Sequence, residues 1–394
     1  MRINDYEMNR LKLFKAIRRS EPVARTDLVK LTGLAGGSVS QLTADFLKRD
    51  LVVEEKTTNP AFGRPRIGLR INATGGHVLS VSPLANERAS IEIVNLRGDP
   101  VYTQIAPIKR VKTLEAWSHQ LAQIIGESIA FSPLSKKDIF RIGVLVQGVV
   151  DSARGVVRWL ATFPDRNVPV RAILEKQLKI PVMIDNDSNV IARAEHWFGE
   201  ANQSEDFSMI VVDLGLNSAH YIDGMLWSGA HGTNPEFGHT KIAWEGGRRC
   251  YCGAAGCLVA YSSIWGILSR ISEQRGSKTP SQRKMHAAFR AAAQEARSGN
   301  MATREAFSVA GHMLGVAAAN MINDRDPGRI VIAAFEPDLA PLISDAFLTA
   351  VESNTLPALW DDVNIEFKFI DADYYRKGAA AMALEHIYRT SDTR

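Results

Sequence analysis

Three cysteines and one histidine lie close together in the middle of the chain. Cys250, Cys252 and Cys257 are the only cysteines among 394 residues. His239 precedes the first of them by eleven positions. Three thiolates and one imidazole make a complete tetrahedral ligand set for zinc. The sequence therefore predicts a closed, structural zinc site held by these four side chains.

A disulfide and a run of small buried thiols are the alternatives to zinc. A disulfide is disfavoured because three is an odd number, and because the charged N-terminus MRINDYEMNRLK has no apolar signal core. Gly253 and Gly256 would let the backbone fold the cysteines back toward one another. Glu236 lies three residues before His239, so a metal-anchored loop would hold this carboxylate toward a ligand.

Length and composition indicate an ordinary globular protein of two or three domains. The chain is 45% hydrophobic and 23% charged, which is typical of a soluble fold. We find no window of eighteen apolar residues, so no transmembrane helix is expected. Reduced cysteines and the lack of a signal peptide predict a cytoplasmic protein without a membrane partner.

The positive charge is concentrated at the N-terminus. Residues 1–71 contain 14 Lys and Arg against 8 Asp and Glu, whereas the remainder contains 33 against 35. A basic head on a near-neutral body indicates a polyanionic partner. A solvated charged surface is the alternative, and charge alone does not decide between them.

The same head has the pattern of a winged helix-turn-helix. Apolar residues at helical spacing predict a helix over 9–19, and two shorter helices over 27–32 and 38–50 flank a Gly-containing turn. Two short strands over 51–55 and 67–71 surround the loop TTNPAFGRPR and predict a β-hairpin wing. A generic three-helix domain is less favoured, because the wing and the basic charge accompany the helices.

The second helix of such a pair enters the major groove of DNA with its N-terminal end first. The candidates for contacts to base edges or phosphates are the polar residues of that helix: Ser38, Ser40, Gln41 and Thr43. Arg64 and Arg66 of the wing would enter a narrow minor groove or bind phosphate, and the sequence leaves both open. Double-stranded DNA is therefore the expected partner.

After the head, three successive strands followed by alternating helices and strands occur twice. This order predicts two α/β lobes with a cleft between them. We expect a DNA-binding domain over 1–72, a first lobe over 73–185 and a second lobe over 186–374. A C-terminal helix over 375–391 would return to the first lobe.

Three motifs in the body resemble those of the ROK family of sugar-responsive repressors and sugar kinases. They are DNDSN at 185–189, EFGH at 236–239 and CYCGAAGC at 250–257, and the resemblance extends over nearly the whole chain. It implies a duplicated actin-like or hexokinase-like α/β fold. It also implies a zinc ion held by the histidine and the three cysteines, and a homodimer or a larger oligomer such as a tetramer.

The resemblance further implies a bound sugar, with Asn186, Asp187, Glu236 and His239 as its contacts. Carboxylates and amides suit vicinal hydroxyls, which both donate and accept hydrogen bonds. An Asp beside a hydroxyl is also suited to act as a general base in phosphoryl transfer. The alternative for Asn186 and Asp187 is an Asx cap at a strand-to-helix turn.

The glycine-rich loops that kinases of this fold use to bind phosphates are altered in this chain. SPLAN stands at 82–86, DLGLNSA at 213–219 keeps only Gly215, and AAFE at 333–336 replaces a glycine pair. Bare backbone amides are what bind phosphates in such loops. ATP binding is therefore expected to be lost, and Asp187 would have no phosphoryl donor.

The residues near the expected sugar contacts also depart from the family pattern. Val259 stands where the family usually has a second glutamate, and Asn234-Pro235 replaces Ala-Gly. An unusual sugar, or replacement contacts from Asn234, His231 or Arg166, would account for this.

Together these features predict a DNA-binding transcriptional regulator, a repressor rather than an enzyme, whose body binds a sugar or sugar derivative that changes operator affinity. The alternatives are an ATP-dependent sugar kinase with an appended DNA-binding head and a DNA-binding protein that responds to no ligand.

Overall fold

The computed structural model describes residues 5–57, 66–84, 87–199 and 204–390. The chain forms two compact units. The first contains Met1–Arg193 and Tyr375–Arg394, and the second contains Ala194–Tyr374. This division groups the head with the first lobe. The domain limits expected from the sequence stay a prediction.

The head has the helices and the wing strands that the sequence predicts. Its elements are α1 (Asp5–Ser20), β1 (Val23–Ala24), α2 (Arg25–Thr32), α3 (Gly36–Lys48), β2 (Val52–Thr57) and β3 (Arg66–Ile71). The three strands form an antiparallel sheet in the order β1-β3-β2. Strand β1 was not predicted, because two residues are too short to show a pattern. Phe14 and Phe46 pack edge to face in the core beneath α3.

The remainder of the first unit is an α/β lobe. Its elements are β4 (His77–Leu84), β5 (Arg88–Asn95), β6 (Pro100–Pro107), α4 (Leu114–Phe131), β7 (Ile139–Val146), β8 (Val149–Asp151), β9 (Val156–Trp159), α5 (Val170–Leu178), β10 (Val182–Asn186), the first part of α6 (Asp187–Phe198) and most of α13 (Ala372–Arg389). The sheet order is β10-β7-β4-β5-β6. Strands β4, β5 and β6 form an antiparallel meander, and β7 and β10 are parallel to β4.

The second unit repeats this plan. Its elements are β11 (Phe207–Val212), β12 (Leu216–Ile222), β13 (Met225–Leu226), α7 (Val259–Ser262), α8 (Ile264–Gln274), α9 (Met285–Arg297), α10 (Met301–Arg325), β14 (Arg329–Ala334), α11 (Leu339–Asn354), α12 (Pro357–Trp360) and β15 (Asn364–Phe369). The sheet order is β13-β12-β11-β14-β15, again a meander followed by two parallel strands. The repeat that the sequence indicated is therefore a repeat of sheet topology.

Central strands of both sheets are buried along their length. Every residue of β7 and every residue of β11 is buried, as expected for interior strands of sheets covered on both faces. Within the described ranges, no helix is both long and apolar enough to cross a membrane.

His220 on β12 is a buried histidine held between two serines. Its Nδ1 lies 2.8 Å from Ser208 Oγ and its Nε2 lies 3.1 Å from Ser218 Oγ. Burial and, to a smaller extent, the positive charge of Arg325 lower the pKa of His220 to about 3. The imidazole is therefore neutral in the folded protein at ordinary pH.

This histidine predicts a loss of stability in mild acid. Below about pH 6.5 the unfolded chain protonates His220 whereas the folded protein does not, so the free energy of unfolding decreases as the pH falls. The contribution of His220 reaches about 2 kcal/mol by pH 5. Denaturant unfolding at pH 7 and pH 5 should show a smaller loss for His220→Gln than for the wild type. His119→Gln, which removes an exposed histidine, is the control. Equal losses for His220→Gln and wild type would contradict this assignment.

Candidate functional site

The N-terminal part of α3 presents polar side chains at the surface of the head. The helix begins at Gly36 after Ala35, its N-cap residue. Ser40 and Gln41 are exposed and Ser38 is half-buried. Unpaired backbone N–H groups at a helix N-terminus also favour phosphate. This end of α3 therefore has both kinds of donor that a DNA-binding helix uses.

Thr43 is placed differently from its neighbours on α3. Its side chain is fully buried. The hydroxyl donates to Ser40 O at 3.1 Å and accepts from Arg25 Nε at 3.1 Å. Thr43 therefore has no surface to offer to a base edge in this conformation. The sequence pattern missed this because four polar residues within six positions cannot all face outward on a helix.

The wing is described only in part. Arg64 lies outside the described residues, and Arg66 begins β3 opposite Thr57. Other arginines of the head are paired with glutamates: Arg70 with Glu55 at 2.9 Å, and Arg25 with Glu54 at 2.9 Å.

Asn186 and Asp187 lie at the junction of β10 and α6, in the first unit. Asn186 Oδ1 accepts from Asn189 N at 2.9 Å, so it caps the first turn of α6. Asp187 is half-buried, and its Oδ1 accepts from Ser188 N at 2.9 Å. The Asx cap that the sequence left open is thus present. A capping Asn still has its side-chain NH₂ group as a donor, so the cap and a ligand contact are compatible.

The histidine and the three cysteines come together in the second unit. One ligand atom from each of the four residues lies within 4.8 Å of every other. Cys252 Sγ is 3.7 Å from Cys257 Sγ, and Cys250 Sγ is 3.7 Å from His239 Nδ1. Tetrahedral zinc with Zn–S bonds of 2.3 Å requires sulfur atoms about 3.8 Å apart. The side chains therefore have the spacing of a metal site.

The backbone of this loop is folded as the glycine positions predicted. Gly253 and Gly256 have φ of 93° and 75°, which favours glycine. A Cβ on Gly256 would collide with Ala243 O. Cys250 N donates to Ala254 O at 2.8 Å, which closes the turn that carries the cysteines.

Lys241 contacts the cluster and was missed by the sequence analysis. Its ammonium donates to Cys257 Sγ at 2.7 Å, and this bond raises the pKa of Lys241. Three thiolates around one divalent cation leave a net negative charge, which a nearby ammonium offsets. Desolvation raises the pKa of Cys250 to about 12, whereas the backbone N–H of Ala254 lowers that of Cys252. The thiols are therefore not equivalent without a cation.

Glu236 immediately precedes a short 3₁₀ helix, Phe237–His239, and His239 is the last residue of that helix. Glu236 is exposed and His239 is half-buried. Since His239 turns Nδ1 toward Cys250, Nε2 is the nitrogen that remains for a hydroxyl. Val259 is fully buried in the core of the second unit. A glutamate at that position would need a different local packing.

The three residues considered as replacement sugar contacts differ in their surroundings. Asn234 is buried, and its amide donates to Ser218 O at 2.6 Å. His231 is exposed. Arg166, in the first unit, donates to the carbonyls of the nearby turn, including Asp165 O at 2.9 Å. Its guanidinium is therefore engaged locally.

The segments in which the sequence analysis expects altered phosphate loops contain carboxylates or paired backbone. Pro83 lies in β4 opposite Ala89 of β5 and has no N–H to offer. In the second unit, Glu336 Oε1 lies 2.9 Å from both His286 Nδ1 and Arg290 Nη1. His286 Nε2 lies 3.6 Å from Asp213 Oδ1. Burial raises the pKa of Asp213, and Glu336 raises it further.

Comparisons with known proteins agree with a winged head followed by an α/β body. A sequence profile of the ROK family matches residues 93–380. The xylose repressor of Caldicellulosiruptor bescii is 27% identical over 392 residues, which cover 96% of this chain and 96% of the repressor. That similarity includes the head.

Solved structures share the fold. A ROK family transcriptional regulator, a homologue of the Escherichia coli MLC protein, has a TM-score of 0.80 at 23% identity and covers 98% of this chain and 96% of its own. The ROK hexokinase of Thermus thermophilus has a TM-score of 0.65 at 22% identity and covers 79% of this chain and 98% of its own. The predicted fold class, a winged helix-turn-helix followed by a hexokinase-like α/β body, is confirmed.

Proposed function

The chain belongs to the ROK family, and on that premise we propose that it is a DNA-binding transcriptional repressor whose affinity for its operator is changed by a sugar or sugar derivative. The observation that carries this proposal is the winged head with its exposed α3 N-terminus, joined to a body of this family. A similarity to a xylose repressor that extends over 96% of the chain supports it. We place the protein in the cytoplasm, as a homodimer or tetramer.

The proposal assigns no kinase activity to the body. Asp213 and Glu336 are carboxylates at positions where a kinase of this fold would bind phosphates, and like charges repel. Arg290 is already paired with Glu336. A sugar kinase with an appended head, the alternative function, would need these groups to rearrange before a nucleotide could bind.

The sugar contacts in this proposal are Asn186, Asp187, Glu236 and His239. They supply two carboxylates, an amide and an imidazole, which is a donor and acceptor set suited to hydroxyls. The relative named for xylose puts D-xylose first among the sugars to test.

We assign zinc to the cluster of His239, Cys250, Cys252 and Cys257. The donor set and the 3.7 Å separation of Cys252 Sγ and Cys257 Sγ fit tetrahedral zinc. Bound zinc would hold the loop that carries Glu236 and would take no part in chemistry. Lys241 would offset the negative charge of the three-thiolate site.

Removing one thiolate should release the metal. Cys252→Ser replaces an exposed ligand, so its effect on core packing is small. We expect less than a tenth of the wild-type zinc content after dialysis, measured by plasma mass spectrometry, and a lower melting temperature. Ser298→Ala, at an exposed serine outside the cluster, should keep the zinc and is the control. Full zinc content in Cys252→Ser would refute this ligand set.

Gln41 should contribute to the recognition of a particular base. An amide that bonds a base edge is worth about 1–3 kcal/mol. Gln41→Ala should therefore weaken binding to the operator, selected from random DNA by the full-length protein, by roughly tenfold. Its affinity for unrelated DNA should stay unchanged. Gln123→Ala, an exposed glutamine on α4, is the control. Equal weakening on both DNAs would show a phosphate contact instead.

The decisive experiment titrates sugars against the operator complex. D-xylose, D-glucose and N-acetyl-D-glucosamine are added to the full-length protein bound to its selected operator, and the operator Kd is measured. We expect one of them, or a related sugar in a wider panel, to change that Kd at least fivefold, a coupling of about 1 kcal/mol. A coupled ATP assay runs in parallel. Turnover at ordinary kinase rates would overturn the assignment as a non-enzyme.

A further inference from the structure

A buried ion pair holds the junction of β10 and α6, which contains Asn186 and Asp187 and is called the Asn186–Asp187 loop below. Asp185 Oδ1 accepts from Asn186 N at 2.8 Å and from Asn189 Nδ2 at 2.9 Å. Its other oxygen binds Arg193 Nη1 at 2.7 Å. The Asp185 side chain is only 3% exposed. A displacement of the Asn186 backbone therefore acts directly on this carboxylate.

Arg193 connects that carboxylate to the C-terminal helix. Its Nε lies 3.5 Å from Glu385 Oε2 on α13, and both side chains are nearly buried. A Cβ on Gly378 of α13 would collide with Val190 O of α6, so the two helices are in backbone contact. Arg193 thus stands between two acids on different elements, and the helices that carry Arg193 and Glu385 are in backbone contact at Val190 and Gly378.

The last turns of α13 are bound by two arginines of the head. Arg10 Nε donates to Tyr388 O at 3.2 Å, and Arg49 Nη1 donates to Thr390 O at 3.0 Å. Carbonyls at a helix C-terminus have no partner within the helix, and a cation there is favourable. Asp45 of α3 accepts from both arginines. The head is therefore attached to α13 through α1 and through α3 itself.

These contacts form one continuous chain within the first unit. Glu385 and the carbonyls of Tyr388 and Thr390 lie within two helical turns of one another. Buried ions need a partner in every conformation, because an unpaired buried charge is strongly unfavourable. A shift of one member is therefore passed to the next instead of being absorbed.

We propose that Asp185, Arg193 and Glu385 form an ionic relay through which the end of α13 couples the Asn186–Asp187 loop to the recognition helix α3. The relay rests on the proposed function, since it explains how a sugar at that loop changes operator affinity. Arg193 and Glu385 are positioning residues. They contact neither the sugar nor DNA, and they act through α13 and the arginines that bind its end.

The test compares two buried glutamates that both pair with arginines in this unit. Glu385→Gln keeps the shape of the side chain and removes the charge that faces Arg193. Glu92→Gln is the matched control, because Glu92 is also nearly buried and pairs with Arg376 of α13 at 3.3 Å, at the other end of the helix. Arg49→Lys is a second variant, which keeps the charge but not the planar fork of the guanidinium.

In the first arm, the operator Kd is measured with and without D-xylose, D-glucose and N-acetyl-D-glucosamine, and sugar binding is measured by calorimetry. We expect Glu385→Gln and Arg49→Lys to keep the sugar Kd within about twofold and to lose most of the sugar effect on DNA, at least about fivefold. Glu92→Gln should keep the full effect. A full effect in Glu385→Gln would overturn the relay.

The second arm needs no sugar and uses hydrogen exchange of the full-length protein. Glu385→Gln should speed exchange about threefold or more both at residues 185–189 and in α1 and α3, whereas Glu92→Gln should not. Faster exchange in α13 alone would overturn the relay. If no sugar affects wild-type operator binding, the proposed function fails, and this arm alone decides the relay. If Glu385→Gln does not fold, Arg49→Lys decides both arms.

Discussion

Burial of the interior strands of the two sheets is the constraint on which the rest of the structure depends. Strands β7 and β11 are buried at every residue, so their side chains pack and have no surface for a ligand. Several polar residues that are candidates for binding a ligand lie where the parallel strands end. Asp185 and Asn186 lie there in the first unit, and Asp213 and Glu336 lie there in the second. In α/β sheets the carboxyl ends of strands are where ligands bind.

The cluster of His239 and the three cysteines lies in a segment with little regular secondary structure. The segment between β13 and α7 has a one-turn 3₁₀ helix, isolated bridges and local turns, so its backbone hydrogen bonds form neither a long helix nor an extended strand ladder. A metal ion held by the four converging side chains would stabilise this segment, because metal binding contributes directly to folding free energy. The glycines at 253 and 256 and the ammonium of Lys241 are parts of the same arrangement. Without a cation, Cys250 would retain its proton, since burial raises its pKa to about 12.

The same fold supports kinases and regulators, so the fold alone does not decide the function. The proposal that this chain is a regulator without kinase activity rests on local chemistry at the strand ends. Pro83 lies in β4 and has no backbone N–H, and Glu336 is paired with His286 and Arg290. The head adds a second surface, and its attachment to α13 through Arg10 and Arg49 joins that surface to the body.

Local patterns in the sequence predicted the helices and wing strands of the head, the repeated α/β order and the four candidate metal ligands, because each depends on residues that are near one another in the sequence. Contacts between distant segments could be decided only by the tertiary structure. The hydrogen bond from Arg25 to the Thr43 hydroxyl is one such contact. Lys241 at the thiolates, and the pairing of Arg193 with Glu385, join residues that no periodicity connects. Ion pairs depend on position in space, and an ion pair between residues 192 positions apart leaves no signal in a single sequence.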